Sequence, residues 1–427
     1  PYDYPNQNVG DLLGIPAADR TNGAFLFATW LLRQYSFYPQ APTTTFRLGQ
    51  GYWLAYRNNL PLATEGILAD QTRPFDIGLN PGWNMIGNPF PFEIDWTRVG
   101  VRLANGTLLT YQQAVTQGKV GAAIFGYVSG SYVLDFRLQP WRGYWVRAYE
   151  AVTLLVDPIT SRRSATLPAA NSRAILQGGD GWTVNLRVAV GGVRDDDNHF
   201  GQSSRASDGF DAFKAEKPPL FGEKYVYGAF DNPNWGDRAG AYAVDVRSAA
   251  PGQKVYEFSV RTNVEKASAS ISWPNTAAVR RNVRLTFVDL ATGERRDMRS
   301  SGGYTWVTGE GETTRRFRIE VGAQTNDRLI VSQVSTRTGR SAQSTTISYA
   351  LSGSASVKLT VISANGTTVR NLSSGSTRAA GIHEQTWDQK NDQGIVVPAG
   401  SYAVIIEARS ADGSQTARAA GQVLIVR

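Results

Sequence analysis

From Ser401 to Ala408 the side chains alternate at period two, so that Tyr402, Val404, Ile406 and Ala408 fall on one face. Only a half-buried strand accommodates that spacing, because successive side chains of a strand point to opposite sides. The surrounding sequence repeats the pattern. Ile347–Leu351, Val357–Ile362, Thr368–Leu372 and His383–Asp388 read as further strands. Asn365-Gly366 predicts a tight hairpin with both residues at positive φ, and Pro398-Ala399-Gly400 reads as another turn. Roughly seven short strands within about a hundred residues predict an immunoglobulin-like sandwich over 327–427.

The whole chain has 427 residues, enough for about two to four domains with cores of their own. It has no cysteine, which excludes disulfides and thiolate metal sites, and only two histidines. The net charge is +8, carried by 36 Arg and 8 Lys. The arginines are scattered, with short pairs only at Arg280-Arg281, Arg295-Arg296 and Arg315-Arg316. A nucleic-acid binder concentrates such charge, so no nucleic-acid partner is expected. Attraction to an acidic polysaccharide or a phosphate-rich surface stays open. No apolar run approaches the length of a membrane-spanning helix, so no membrane insertion is expected. The chain opens on Pro1 with no leader-like segment, and a longer N-terminal region is expected to precede it.

The region 1–158 contains a duplication. Phe46-Arg47-Leu48-Gly49-Gln50-Gly51-Tyr52-Trp53 reappears as Phe136-Arg137-Leu138-Gln139-Pro140-Trp141-Arg142-Gly143-Tyr144-Trp145. Aromatic strands precede each copy, read as Leu32–Tyr38 in the first and as Ala123–Val128 with Ser131–Leu134 in the second. The second copy opens on Gly82-Trp83-Asn84-Met85-Ile86-Gly87-Asn88-Pro89-Phe90, a buried strand running into an Asn-Pro corner. The first copy has no counterpart of that strand. A sheet short of one strand presents unpaired N–H and C=O groups, which an upstream segment or a neighbouring subunit can satisfy. Trp53, Trp141 and Trp145 could form a sugar-stacking platform, or could simply pack a sandwich core.

A polar stretch at 161–169 reads as a linker, and 170–322 as a second sandwich with further strands from Trp182 onward. Within it lies the densest polar segment of the chain. Asp195, Asp197, Asn198, Asp208 and Asp211 could supply oxygens to a structural calcium ion from a flexible loop. Their spacing departs from the EF-hand loop, and a loop whose Asp and Asn side chains bond their own backbone is the competing reading. His199 lies within the segment and His383 at a strand start. No Ser-His-Asp set, phosphate-binding glycine loop or HExxH motif occurs, so the chain is not expected to be an enzyme.

Three motifs carry resemblances. Val-x-Leu-x-Val-x-x-Ala-Asn-Gly-x-x-Val-Arg-x-Leu from Val357, followed by Thr-Trp-Asp-x-x-Asn-Asp-x-Gly-x-x-Val-Pro-x-Gly-x-Tyr from Thr386, resembles the Ig-like domain of flagellar hook-capping proteins. The same stretch looks like the C-terminal sorting modules of type IX secretion. The duplicated Gly-Trp-Asn…Gly-Tyr-Trp module and the Asp-x-x-Asn-x-Phe-Gly…Ala-x-Asp-Gly-x-Asp…Lys-Pro-Pro signature starting at Asp195 are similar to modules of large secreted bacterial proteins. These resemblances imply an exported, non-catalytic role. Together with the residues, they predict an all-β chain of tandem β-sandwich domains. Its expected function is that of an extracellular structural or adhesive bacterial surface protein, self-assembling into a fibre or layer through strand or end-to-end contacts. The alternative is a carbohydrate-binding accessory region of a secreted polysaccharide-degrading enzyme, with a catalytic middle domain as a third option.

Overall fold

The structure is a computed structural model and describes residues 2–4, 7–60, 66–162, 181–220, 222–323, 328–338, 344–411 and 413–426. The architecture is all-β, with tandem sandwiches of which the last is immunoglobulin-like. The chain divides into two compact units. Pro1–Pro251, Tyr256–Val279 and Gly303–Arg315 form the first; Gly252–Val255, Arg280–Gly302 and Arg316–Arg427 form the second. No described helix is long and apolar enough to cross a membrane. Of the stretch read as a linker at 161–169, only Ser161 and Arg162 are described. Ser161 is buried, accepts a hydrogen bond from the Asp95 N–H at 2.8 Å and donates to the Arg98 carbonyl at 3.1 Å. The connector residues 324–326 lie outside the described residues.

The duplication is visible in the first unit. The first copy is a three-stranded sheet ordered Gln34–Phe37, Phe25–Leu31, Trp53–Tyr56. The second is a four-stranded sheet ordered Ser131–Asp135, Val120–Val128, Gly143–Ala148, Gly82–Gly87. Each contains a hairpin closed by a two-residue turn at positive φ: Leu32 (47°) and Arg33 (69°) in the first, Ser129 (51°) and Gly130 (86°) in the second. The strand read at Leu32–Tyr38 is therefore corrected. Its first two residues are the turn, and the main strand lies upstream at Phe25–Leu31. Leu32 and Arg33 carry none of the residues that normally signal such a turn.

The second copy buries its inner face against a sheet ordered Leu108–Thr110, Gly100–Leu103, Val152–Val156, Phe75–Leu79. Ile86, Phe125, Trp145, Val146 and Leu154 are among its buried side chains. The helix Tyr111–Thr116 lies beside it and starts with a capping box. The Gln113 N–H donates to Thr110 Oγ1, and the Thr110 N–H to Gln113 Oε1 at 2.9 Å. Strands of the middle region, Trp182–Val190, Val193–Ser203, Lys214–Glu216, Val226–Asn232 and Gly240–Ser248, continue the first unit. Ala206, Phe213, Ala215 and Val244 join the same core as the second copy.

In the second unit, Val283–Asp289 pairs with Arg295–Asp297 and with Thr313–Ala323. The C-terminal sandwich has a three-stranded sheet, Val331–Thr338, Thr345–Leu351, Gly381–Trp387. Facing it is a four-stranded one, Thr368–Arg378, Ala355–Ser363, Gly400–Ser410, Thr416–Ile425. Tyr402, Val404, Ile406 and Ala408 are buried together, as the alternation requires. The hairpin at Asn365-Gly366 differs from expectation. Only Gly366 has positive φ (85°), while Asn365 Oδ1 accepts the Thr367 N–H at 3.2 Å, and Ser363 pairs with Thr367. A side chain thus supplies part of what a second positive-φ residue would have supplied.

Candidate functional site

The first part of the acidic segment forms a strand, Val193–Ser203, rather than the expected loop, and lies between Trp182–Val190 and Gly240–Ser248, whereas Asp208 and Asp211 fall in the loop that follows. Its acids do not gather around one point. Asp208 accepts the Ser248 N–H at 3.3 Å. Asp211 accepts from the Ser207 and Phe213 N–H groups at 2.6 and 2.8 Å, and pairs with buried Lys214 at 3.0 Å. Asp197 pairs with buried His199 and accepts the Leu134 N–H of the duplicated module at 2.8 Å. Among the described residues, no three His, Asp or Glu side chains converge as a metal site requires. Each carboxylate of the candidate calcium set has a partner that the chain itself provides.

Asp195 and Asn198 are brought together around a cation, and the cation is Lys217. Its Nζ donates to Asp195 Oδ2 at 2.5 Å, to Asn198 Oδ1 at 2.7 Å and to the Gly228 carbonyl at 2.6 Å. Asp195 Oδ2 also accepts the Gly228 N–H at 2.7 Å, while its buried Oδ1 has no hydrogen-bond partner. The relative exposures are 4% for Lys217, 2% for Asp195 and 0% for Asn198. Burial lowers the Lys217 pKa, and the Asp195 charge opposes that shift. The Tyr227 ring lies 4.9 Å from Nζ, and burial pushes its phenol well above the ordinary tyrosine value. Gly228 is required here, because a Cβ would lie 2.7 Å from Phe258 and 3.2 Å from Asn198 Nδ2. Lys217 stands at the end of the signature from Asp195, yet its role was not readable from spacing. The partners come from Val193–Ser203 and Val226–Asn232, and only folding brings them to it.

The tryptophans divide. Trp145 is 2% exposed and packs edge-on against Trp30 and Trp83, with centroids 5.5 and 6.1 Å away. It is a core residue, and this corrects its reading as part of a sugar platform. Trp53 is half-buried and meets Tyr127 edge-on at 4.8 Å. Trp141 is 53% exposed, and its ring centroid lies 5.7 Å from that of Tyr2. The preceding tyrosines of the two Gly-Tyr-Trp triplets play one role. Tyr52 Oη accepts the Arg47 N–H and Tyr144 Oη the Gln139 N–H, each at 3.0 Å. Burial pushes both phenols up to about 12.

The two copies meet at the opening strand of the second. Gly82–Gly87 pairs along one edge with Gly143–Ala148. On its other edge the Gly51 N–H donates to the Met85 carbonyl at 3.1 Å, and the Gly87 N–H to the Gly49 carbonyl at 3.0 Å. A Cβ on Gly51 would lie 2.7 Å from the Ile86 carbonyl oxygen, so only glycine permits this approach. Past Gly51 the pairing ends. Trp53–Tyr56 keeps Phe25–Leu31 on one side, and among the described residues no strand lies on the other. Beside this edge is a pocket of 240 Å³, lined by Tyr2, Phe27, Phe46, Leu48, Leu54 and Trp141 among others.

A comparison with curated proteins finds no match. Among solved structures, the chain is similar to the glycoside hydrolase domain of Endo-D from Streptococcus pneumoniae R6 (8% identity, 47% of this chain, 37% of that chain, TM-score 0.17). It is also similar to dimeric latent PorU from Porphyromonas gingivalis (10% identity, 79% of this chain, 34% of that chain, TM-score 0.21). A two-domain fibronectin type III segment of chicken tenascin matches at 12% identity over 41% of this chain and 98% of that chain, with a TM-score of 0.17. The chain thus spans little more than a third of the first two proteins. Residues 332–412 match the family of the FlgD Ig-like domain, so the chain carries a C-terminal Ig-like domain.

Proposed function

We propose that this chain is an extracellular structural or adhesive component of a bacterial surface, which works by assembling with its own copies rather than by catalysis. The supporting observation is the open edge of Trp53–Tyr56 beside an apolar pocket. In the second copy the equivalent edge is closed by the strand Gly82–Gly87. An extended segment laid along the first edge would gain main-chain hydrogen bonds, and its side chains would gain a pocket. Head-to-tail repetition of such a contact builds a filament. The buried ion pairs of the middle region tie strands to one another, which suits a load-bearing module better than a reaction centre.

Electron microscopy of the native, unconcentrated protein tests this reading. Ordered filaments or sheets are expected, and single particles at all concentrations would refute assembly. A second reading rests on Trp141, exposed at the pocket rim beside Tyr2. It makes the chain an accessory region that holds polysaccharide. Trp141→Ala would then abolish glycan binding.

A further inference from the structure

The cluster around Lys217 contains more than an ion pair needs. A buried ammonium requires only acceptors. Here one acceptor is a carboxamide, another a carboxylate, and all three side chains are sealed from water. We propose that Lys217 and Asn198 become joined by an intramolecular amide bond, with Asp195 moving the proton.

The geometry supplies each part of that reaction. Nζ sits 2.7 Å from Asn198 Oδ1, next to the carbonyl carbon it would attack. Burial favours the neutral amine, which is the nucleophile. Asp195 Oδ2, 2.5 Å from Nζ, accepts the proton that the ammonium must lose. Its second oxygen is buried with no partner, leaving the carboxyl room to carry that proton. The carboxamide nitrogen, the leaving group, is held only by long contacts of 3.4 Å to the Leu186 carbonyl and 3.3 Å to the Asp195 carbonyl. Exclusion of water removes the competing nucleophile that would convert the amide to an acid.

The step balances without a co-reactant. The lysine nitrogen forms a bond to Cγ of Asn198. It sheds two protons, one as the ammonium becomes the amine and one as the amide forms. Asp195 passes both to the carboxamide nitrogen, the Cγ–N bond breaks, and the nitrogen leaves as ammonium. Asp195 returns to its starting state, and no electron changes owner. The product links Val193–Ser203 to the segment that follows Lys214–Glu216, 19 residues along the chain. This linkage is independent of whether copies assemble.

Mass spectrometry of the denatured full chain reads the result directly. The expected mass is that of the sequence less one ammonia, with a branched peptide joining positions 198 and 217 after digestion. Asp195→Asn should restore the full mass. Asn198→Asp should instead lose water, because the same amide then forms from an acid. An unmodified chain at its full sequence mass, with Lys217 open to amine reagents after unfolding, overturns the proposal without any variant needing to fold.

Discussion

The two copies of the N-terminal module share a hairpin, a Gly-Tyr-Trp strand and a tyrosine that accepts a main-chain N–H, yet they differ in completeness. The second copy has four strands in its sheet and a buried tryptophan. The first has three strands, a half-buried tryptophan and a pocket at its edge. The shared features are those that a single copy can satisfy alone. What differs is what a neighbouring strand has to supply. The contrast shows that the motif encodes the hairpin and its tyrosine lock, while burial of the tryptophan depends on the strand laid beside it.

The largest effect should come from the tryptophans. Trp145→Ala removes a fully packed ring and should cost about 3–5 kcal/mol, whereas Trp53→Ala should cost less than half of that. Denaturant unfolding of the two variants measures the difference, and equal losses would break the contrast. The tyrosines should behave alike. Tyr52→Phe and Tyr144→Phe each remove the acceptor of a backbone N–H that water can still reach, at about 0.5–1.5 kcal/mol apiece. Both phenols are raised to about 12 from an ordinary value of 10. A raised acid is held neutral by the fold. Its stabilising contribution is therefore complete below pH 10 and fades as the pH rises through 12. An alkaline melting series should show loss in that window, delayed in neither variant but reduced in both.

Hydrogen exchange should find the amides of Trp53–Tyr56 about tenfold or more faster than those of Gly143–Ala148, which have strands on both sides. A synthetic peptide with the sequence of Gly82–Asn88 should slow the first set selectively. No protection at saturating peptide would show that the edge is not a docking surface. The smallest effect concerns the turns. Replacing Leu32-Arg33 by Asn-Gly places favourable residues at two positive-φ positions, and should stabilise the first copy by about 1 kcal/mol. A loss of stability would mean that Leu32 or Arg33 makes a contact the hairpin needs.

The sequence disclosed features governed by local periodicity. The strands of the C-terminal sandwich follow from alternation, and the duplication follows from the repeated triplet. Two kinds of feature stayed hidden. Leu32-Arg33 turns without glycine or asparagine, because the paired strands on either side impose the conformation. The acidic segment looks like a loop because aspartate is poor in strands. Its first part, Val193–Ser203, becomes a strand in which Lys217 and His199 offset the charges of Asp195 and Asp197. Those partners are set by tertiary packing, which spacing along the chain does not express. The same reason separates Trp145 from Trp141, four residues apart, yet one buried and the other open.

The strand Gly82–Gly87 serves both copies, and this gives the module a direction in time. The residues at Gly49–Gly51 have no edge to pair with until the second copy has formed one. A chain that leaves the ribosome or crosses an envelope with its N-terminus leading therefore exposes the first copy before its template exists. The earlier segment waits for the later one, and the module closes backwards along its own sequence.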